Sequence, residues 1–388
     1  MKNFGMRMGV IAGVLLCAMA AGCSRDDRPT VVLYASADDA VVREVVKAFE
    51  AAHKVRVLVV GDTEAQKTTG LVERIKAEKD RPQADVFWSS EVFMTIALAD
   101  QGLLDEYLSD STVNWPTPWR DGQRRWFGFA ARARVIVYST ERVSAERIPQ
   151  TWMDLTQAKY RDRVVMADPR YGTTGGHLGA MQVYWTREVG PGYYEAFLEG
   201  LAENHIRVLS SGNAGVVDAV VRGEADVGMT DTDDVWAAKA RGLKIECVYP
   251  RHHVDPNETG CGTLIIPNTA AIVKGGPHPK EAKELMEFLL SEDTERMLAK
   301  SESHNIPVQE QVAKDFPQLA VADPLQVDYV KVAAVRDEAV NKAVKRLMND
   351  QPGQQVSNES ERGESFTPEV YSGHSAESQP TSGSDHAP

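Results

Sequence analysis

Three carboxylates stand at one junction of the chain. In the stretch GEADVGMTDTDDVW, Gly223 to Trp236, a short apolar strand pattern runs into Asp231, Asp233 and Asp234 at the mouth of a helix pattern. Like charges that close repel, and each costs free energy to take out of water. Two readings account for them. At a helix N-terminus, with Asp231 or Thr232 as N-cap, the macrodipole stabilises each carboxylate by about 0.3–1 kcal/mol. Alternatively, Asp233 and Asp234 face a cleft and meet a cation, either a hard metal held through oxygen or an amine. The run is not a calcium loop, because the glycine and the later ligands of that register do not follow.

A second constellation is DPRYGTTGGHLGAM, Asp168 to Met181. A Gly-rich turn entering a helix points backbone N–H groups outward and can hold an anion. Thr173 and Thr174 would add hydroxyl donors and Arg170 a charge, although a plain turn and helix start explains the same residues. The Gly-Lys-Ser/Thr ending of a phosphate-binding P-loop is missing. His252 and His253 are neighbours, and adjacent side chains point apart on a strand, so a surface loop is expected there. His177 and His278 read as a helix-turn and a loop residue. Tyr34 and Trp88 stand at strand ends, where they line a cleft or pack in the core.

These residues need a scaffold, and the chain offers an alternating one. VVLYAS (Val31 to Ser36) is a continuous apolar run suited to a buried parallel strand. A helix pattern follows, with Val41, Val42, Val45, Val46 and Phe49 on one face and Asp38 or Asp39 as its cap. VRVLVVG, a helix with Leu71 and Ile75 inward, ADVFWSS and a helix ending near Gly102 continue the rhythm, which predicts an α/β sheet with parallel strands. Two long extended runs, WFGFAARARVIVYST and GTLIIPNTAAIV, would cross between two lobes, outward and back.

Length and charge narrow the classes. At 388 residues and 43% hydrophobic content the chain can build two lobes, and a net charge of −13 argues against nucleic acid as a partner. The first residues, MKNFGMRMGVIAGVLLCAMAAGC, have a basic start and an apolar run too short to span a membrane. They resemble a bacterial lipoprotein signal over 1–22, with Cys23 as the lipidated residue, 23–30 as a tether, and Ala20 where such signals usually carry Leu. An ordinary secretory signal is the alternative, and both export the chain. In an oxidising compartment Cys247 and Cys261 either form a disulfide, closing about 15 residues for about 3 kcal/mol, or remain two separate thiols. Beyond Asp350 the composition turns to Ser, Gly, Glu, Gln and Pro, so residues 350–388 are expected to be a disordered tail. No G-x-S-x-G, H-E-x-x-H or Cys–His signature is present, and an exported enzyme is the lesser reading.

Eight segments in order, among them QADVFWSSE, DQGLLDEY, WFGFAARARVIVYS, VVRGEADVGMTDTDD and HNIPV, resemble the periplasmic solute-binding proteins of ABC importers, in the ferric-iron-binding branch. The resemblance implies a type 2 two-lobed α/β fold hinged on two crossing strands. Lobe 1 would comprise 31–130 and 262–349, and lobe 2 131–261. It also implies a monomeric receptor, anchored by lipid in the periplasm or at the cell surface, that hands a solute to an ABC permease. The solute would be ferric iron (Fe3+) or an iron complex, or else an organic molecule bearing an amine or a phosphoryl group. The family's ferric site draws on a His, a Glu and two adjacent Tyr. Here those positions fall near Asp38, on Glu91, and on Asp233 and Asp234. Glu91, Asp233 and Asp234 are thus the implied metal ligands, and the family's anion contacts fall around Thr173, Thr174, Asn213 and Asp231, where Asp231 would repel an anion.

Overall fold

The structure is a computed structural model that describes residues 26–62, 67–253, 255 and 258–349. The signal segment, Cys23 and the 350–388 tail lie outside these residues. Strand β1 (Thr30–Ala35) is followed by α1 (Asp39–His53), β2 (Arg56–Gly61), α2 (Thr69–Ala77), β3 (Val86–Ser89), α3 (Phe93–Asp100) and the short β4 (Leu104–Asp105). Strands β1, β2 and β3 are parallel, as the apolar runs predict. In α1, Val42, Val45 and Phe49 turn inward at helical spacing, and burying Phe49 alone contributes about 2 kcal/mol.

The 13-residue β5 (Phe127–Ser139) then crosses the molecule. Next come β6 (Val164–Ala167), α4 (Gly172–Glu188), α5 (Tyr193–Glu203), β7 (Arg207–Leu209), α6 (Gly212–Val221), β8 (Val227–Asp231), α7 (Thr232–Ala240) and β9 (Ile245–Val248). The return crossing is β10 (Ile265–Val273), followed by α8 (Pro279–Leu289), α9 (Glu292–Lys300), α10 (Glu310–Ala313) and α11 (Tyr329–Val344).

The strand order is β2-β1-β3-β10-β5-β8-β6-β7. Strand β5 belongs to both ends of this order. Its Phe127–Ala133 portion pairs antiparallel with β10, and its Arg134–Tyr138 portion with β8. The pairing with β10 slips by one residue: Ala131 faces Pro267 but Phe129 faces Asn268, so Ala130 is the extra residue of a bulge. Helix α11 runs along α4, where Gly179 lets the backbone of Val332 and Arg336 approach closely. It also reaches α3, through a Phe93–Tyr329 ring contact at 5.9 Å.

One local expectation changes, and two open alternatives resolve. Cys247 and Cys261 are two free thiols. His252 is not in a surface loop. It is buried, with Nδ1 bonded to the Gly262 carbonyl at 2.7 Å, against Trp152, His177, Tyr184 and Trp185. Tyr34 and Trp88 pack in the core, and the Tyr34 hydroxyl donates to Glu78.

Candidate functional site

Strand β8 runs into α7 without a loop, and this places Asp231 at the N-cap position. Its side chain caps nothing. The carboxylate instead accepts from Arg134 Nη1 at 2.7 Å, Thr173 Oγ1 at 2.5 Å and Asn213 Nδ2 at 2.7 Å. Arg134 Nη1 also reaches Thr173 Oγ1 at 3.0 Å, and its Nε donates to His177 Nδ1 at 3.3 Å. Burial, then the Arg134 charge, holds the His177 pKa well below the ordinary value, so the ring is neutral and accepts. The expected repulsion of an anion by Asp231 is therefore corrected: Arg134 neutralises that carboxylate beneath the cleft.

Two residues earlier on the same face of β5, Arg132 Nε lies 3.2 Å from Asp233 Oδ2, and Nη2 donates to Asn268 Oδ1 at 2.9 Å. Across from it, Lys67 Nζ sits 2.5 Å from Asp38 Oδ1. Burial works to raise the Asp38 pKa, but the Lys67 charge and hydrogen bond offset it and hold the group below the usual carboxylate range. Asp38 occupies the N-cap position of α1 but makes no capping hydrogen bond. Burial pushes Asp233 up to about 6, against the pull of Arg132. Burial and the neighbouring Asp233 charge push Asp234 well above its ordinary value. Asp234 is surrounded by protein, yet it keeps solvent contact along the cavity wall. Oxygens of Asp231, Asp233 and Asp234 lie within 4.8 Å of one another, so three of the expected residues do converge.

A narrow cavity opens beside them. The start of α4 (Gly172, Thr173, Thr174) and the start of α6 (Gly212, Asn213) both border it. Two helix N-termini thus converge on one space. Lys67 and Ser90 close it from the side of β1–β3, and Arg132 and Asp234 complete the charged wall. Behind Ser90, the hydroxyls of Ser36 and Thr68 form a buried triad with it, at 2.9–3.3 Å.

Two expected residues are used elsewhere. Glu91 is buried, and its carboxylate accepts from the N–H groups of Phe93 at 2.7 Å and Met94 at 3.0 Å, holding the start of α3. It does not border the cavity. Arg170 is half exposed and is paired with Asp168 at 2.5 Å. Conversely, Lys67, Ser90, Arg132 and Arg134 were not singled out from the sequence. The signal for the arginines was present in ARAR: two guanidiniums two residues apart, on one face of an otherwise apolar strand.

A two-ended sheet joined by crossing strands, with a charged cleft beside the crossing, defines a type 2 periplasmic solute-binding protein. Residues 81–332 match the bacterial extracellular solute-binding protein family, and the chain belongs to it. Its relatives in that family carry names of more than one solute. It is 26% identical over 251 residues to iron uptake protein A1 of Synechocystis, covering 62% of this chain and 66%, just under two thirds, of that relative. To the major ferric iron-binding protein of Neisseria meningitidis it is 28% identical over 236 residues, 59% of this chain and 67% of the other. A putative 2-aminoethylphosphonate-binding periplasmic protein of Salmonella typhimurium is 25% identical over 245 residues, 62% and 67% of the two chains. Among solved structures, the apo ferric ion-binding protein A of Pasteurella haemolytica superimposes with a TM-score of 0.70 at 21% identity, over 84% of this chain and 99% of that one. The periplasmic binding protein AfuA of Actinobacillus pleuropneumoniae, bound to exogenous fructose-6-phosphate, does so with 0.68 at 22%, over 82% and 98%. These relatives are solute-binding proteins, not enzymes.

Proposed function

We propose that this chain is the exported solute-binding component of an ABC importer, tethered through Cys23 and monomeric. Its cleft takes a small organic solute that joins a phosphoryl or phosphonate group to an amine. One observation carries this reading: Lys67, Arg132 and the N-termini of α4 and α6 all face one cavity, with Asp234 on its wall. The phosphoryl oxygens would accept from Lys67, Arg132, the Thr173 and Thr174 hydroxyls, Asn213 and the helix N–H groups, and the amine's charge would draw out the ionised form of Asp234, which burial otherwise disfavours. Asp231 and Asp233 already carry guanidinium partners, so they supply little free negative charge.

A second reading is favoured by the three convergent carboxylates and by the iron-binding names of the relatives. Fe3+ would then be cargo held by Asp233 and Asp234 through hard oxygen donors. It would have to compete with Arg132, and Glu91 would have to leave the start of α3. Calorimetry on the full exported chain separates the two. Heat with 2-aminoethylphosphonate, weaker heat with inorganic phosphate and none with ferric citrate is the expected result. Heat with ferric citrate alone would replace the organic reading with the iron one.

A further inference from the structure

Three polar rings meet in the interior beside Arg134. Trp152, His177 and His252 are each 3% exposed or less. Their ring centroids lie 4.3 Å (Trp152–His177), 5.5 Å (His177–His252) and 6.0 Å (Trp152–His252) apart. Hydrogen bonds hold them in place: the Trp152 backbone N–H donates to the Arg251 carbonyl at 3.2 Å, and the Trp185 indole donates to the His252 carbonyl at 2.7 Å. Yet Trp152 Nε1, His177 Nε2 and His252 Nε2 have no hydrogen-bond partner among the described residues. Native interiors leave few buried polar atoms unpaired, and here three stand together.

The other ring nitrogens decide what each unpaired atom is. Arg134 Nε always carries a proton and donates it to His177 Nδ1 at 3.3 Å. Burial keeps His177 neutral, so its one ring proton sits on Nε2 and that atom is a donor. His252 is the reverse case. Its Nδ1 lies 2.7 Å from the Gly262 carbonyl, which can only accept, so the proton is on Nδ1. Burial pushes that ring down to about 4, which leaves Nε2 bare and accepting. Trp152 Nε1 is a donor only. The group therefore offers two donors and one acceptor.

This set selects its guest. A metal ion is refused, because His177 Nε2 has no lone pair to give and the Arg134 guanidinium stands on the ring's other nitrogen. An anion is refused by the lone pair of His252. No hydrogen bond joins the two histidines directly, and their 5.5 Å centroid separation suits one intervening oxygen. A water molecule accepts from His177 and Trp152 and donates to His252, which gives it the three bonds common for buried water.

We infer that Trp152, His177 and His252 enclose a binding site for one neutral guest, a water molecule, and that this water locks His177 in the tautomer that receives Arg134. His177 is then a positioning residue. It acts on the cleft only through Arg134, which pairs with Asp231 beneath the Thr173 hydroxyl. The inference stands whatever solute the cleft takes.

Nitrogen magnetic resonance on the full chain, with isotope-labelled histidine, tryptophan and arginine, tests it without a ligand. At neutral pH His177 should be protonated on Nε2 and His252 on Nδ1. The His177 Nε2 and Trp152 Nε1 protons should show direct cross-relaxation with water while exchanging slowly with bulk solvent. Opposite protonation of either ring, nitrogen–nitrogen coupling between the two histidines, absence of the water signal, or metal retained in stoichiometric amount would each overturn the site. None of these readouts requires a variant to fold. The positioning role is read separately. His252→Leu removes the acceptor, and exchange of the Arg134 Nε proton should quicken about tenfold, the protection of roughly one hydrogen bond. His252→Gln, whose amide oxygen can accept, should restore most of that protection. An Arg134 proton that exchanges equally slowly in all three proteins would overturn the positioning role.

Discussion

Arg134 and Asp231 form an ion pair 2.7 Å long in which the side chains are 0% and 2% exposed, directly beneath the Thr173 hydroxyl. Breaking such a pair from one side strands a buried charge. Arg134→Leu should therefore cost about 3–5 kcal/mol in urea unfolding, and the double variant Arg134→Leu with Asp231→Leu should recover most of that loss. A single variant as stable as wild type would mean that water reaches the carboxylate.

Asp233 makes stability depend on pH in a defined window. Its pKa is about 6 when folded and 3.8 as the ordinary value, so between about pH 4 and 6 the folded chain holds a proton that the unfolded chain has released. Its contribution is fully present below pH 4 and is lost as pH rises through 6. Thermal unfolding of Asp233→Asn at steps from pH 4 to 7 should show a flatter profile than wild type across that window.

The buried histidines act in the opposite direction. Burial lowers His252 to about 4 and His177 well below 6.5. Their contribution is present above pH 6.5 and is lost as pH falls toward 4, because the unfolded rings take up protons that the folded ones refuse. His252→Phe should reduce the proton uptake that accompanies unfolding at pH 5, measured by unfolding calorimetry in buffers of different ionisation enthalpy.

Gly176 lies where a Cβ would come 2.1 Å from Phe93 Cδ2. Alanine is the better helix former by up to about 1 kcal/mol, but it removes the seat of that ring. Gly176→Ala should keep helical circular dichroism and lose affinity for 2-aminoethylphosphonate at least tenfold. Unaltered affinity would show that the ring can rotate away at little cost.

Lys67 reaches the cavity from the β1–β3 end. Lys67→Met should weaken phosphonate binding by tenfold or more and reduce its dependence on salt, both measurable by titration calorimetry at two ionic strengths. Equal affinities in both proteins would place the anion elsewhere.

Much of the scaffold was legible in the sequence because its cause is local. The apolar run of β1, the spacing of Val42, Val45 and Phe49, and the two long extended stretches each follow from a periodicity that a short window reveals. The acidic cluster was legible too, but not what each carboxylate does. That depends on Arg132 and Arg134, about one hundred residues earlier in the chain and brought opposite by the β5–β8 pairing. Glu91 matched the expected position, but its local backbone N–H groups claim it. The burial of His252 likewise arises from α4 packing over its loop, which no neighbouring residue signals.

The bulge also makes the length of one strand matter more than its composition. Because Ala130 sets the facing of every later residue in β5, adding or deleting a single position between it and Arg134 would swing both guanidiniums into the opposite layer. Specificity can therefore be re-engineered here by exchanging side chains, and variants of this segment should be drawn from libraries of constant length.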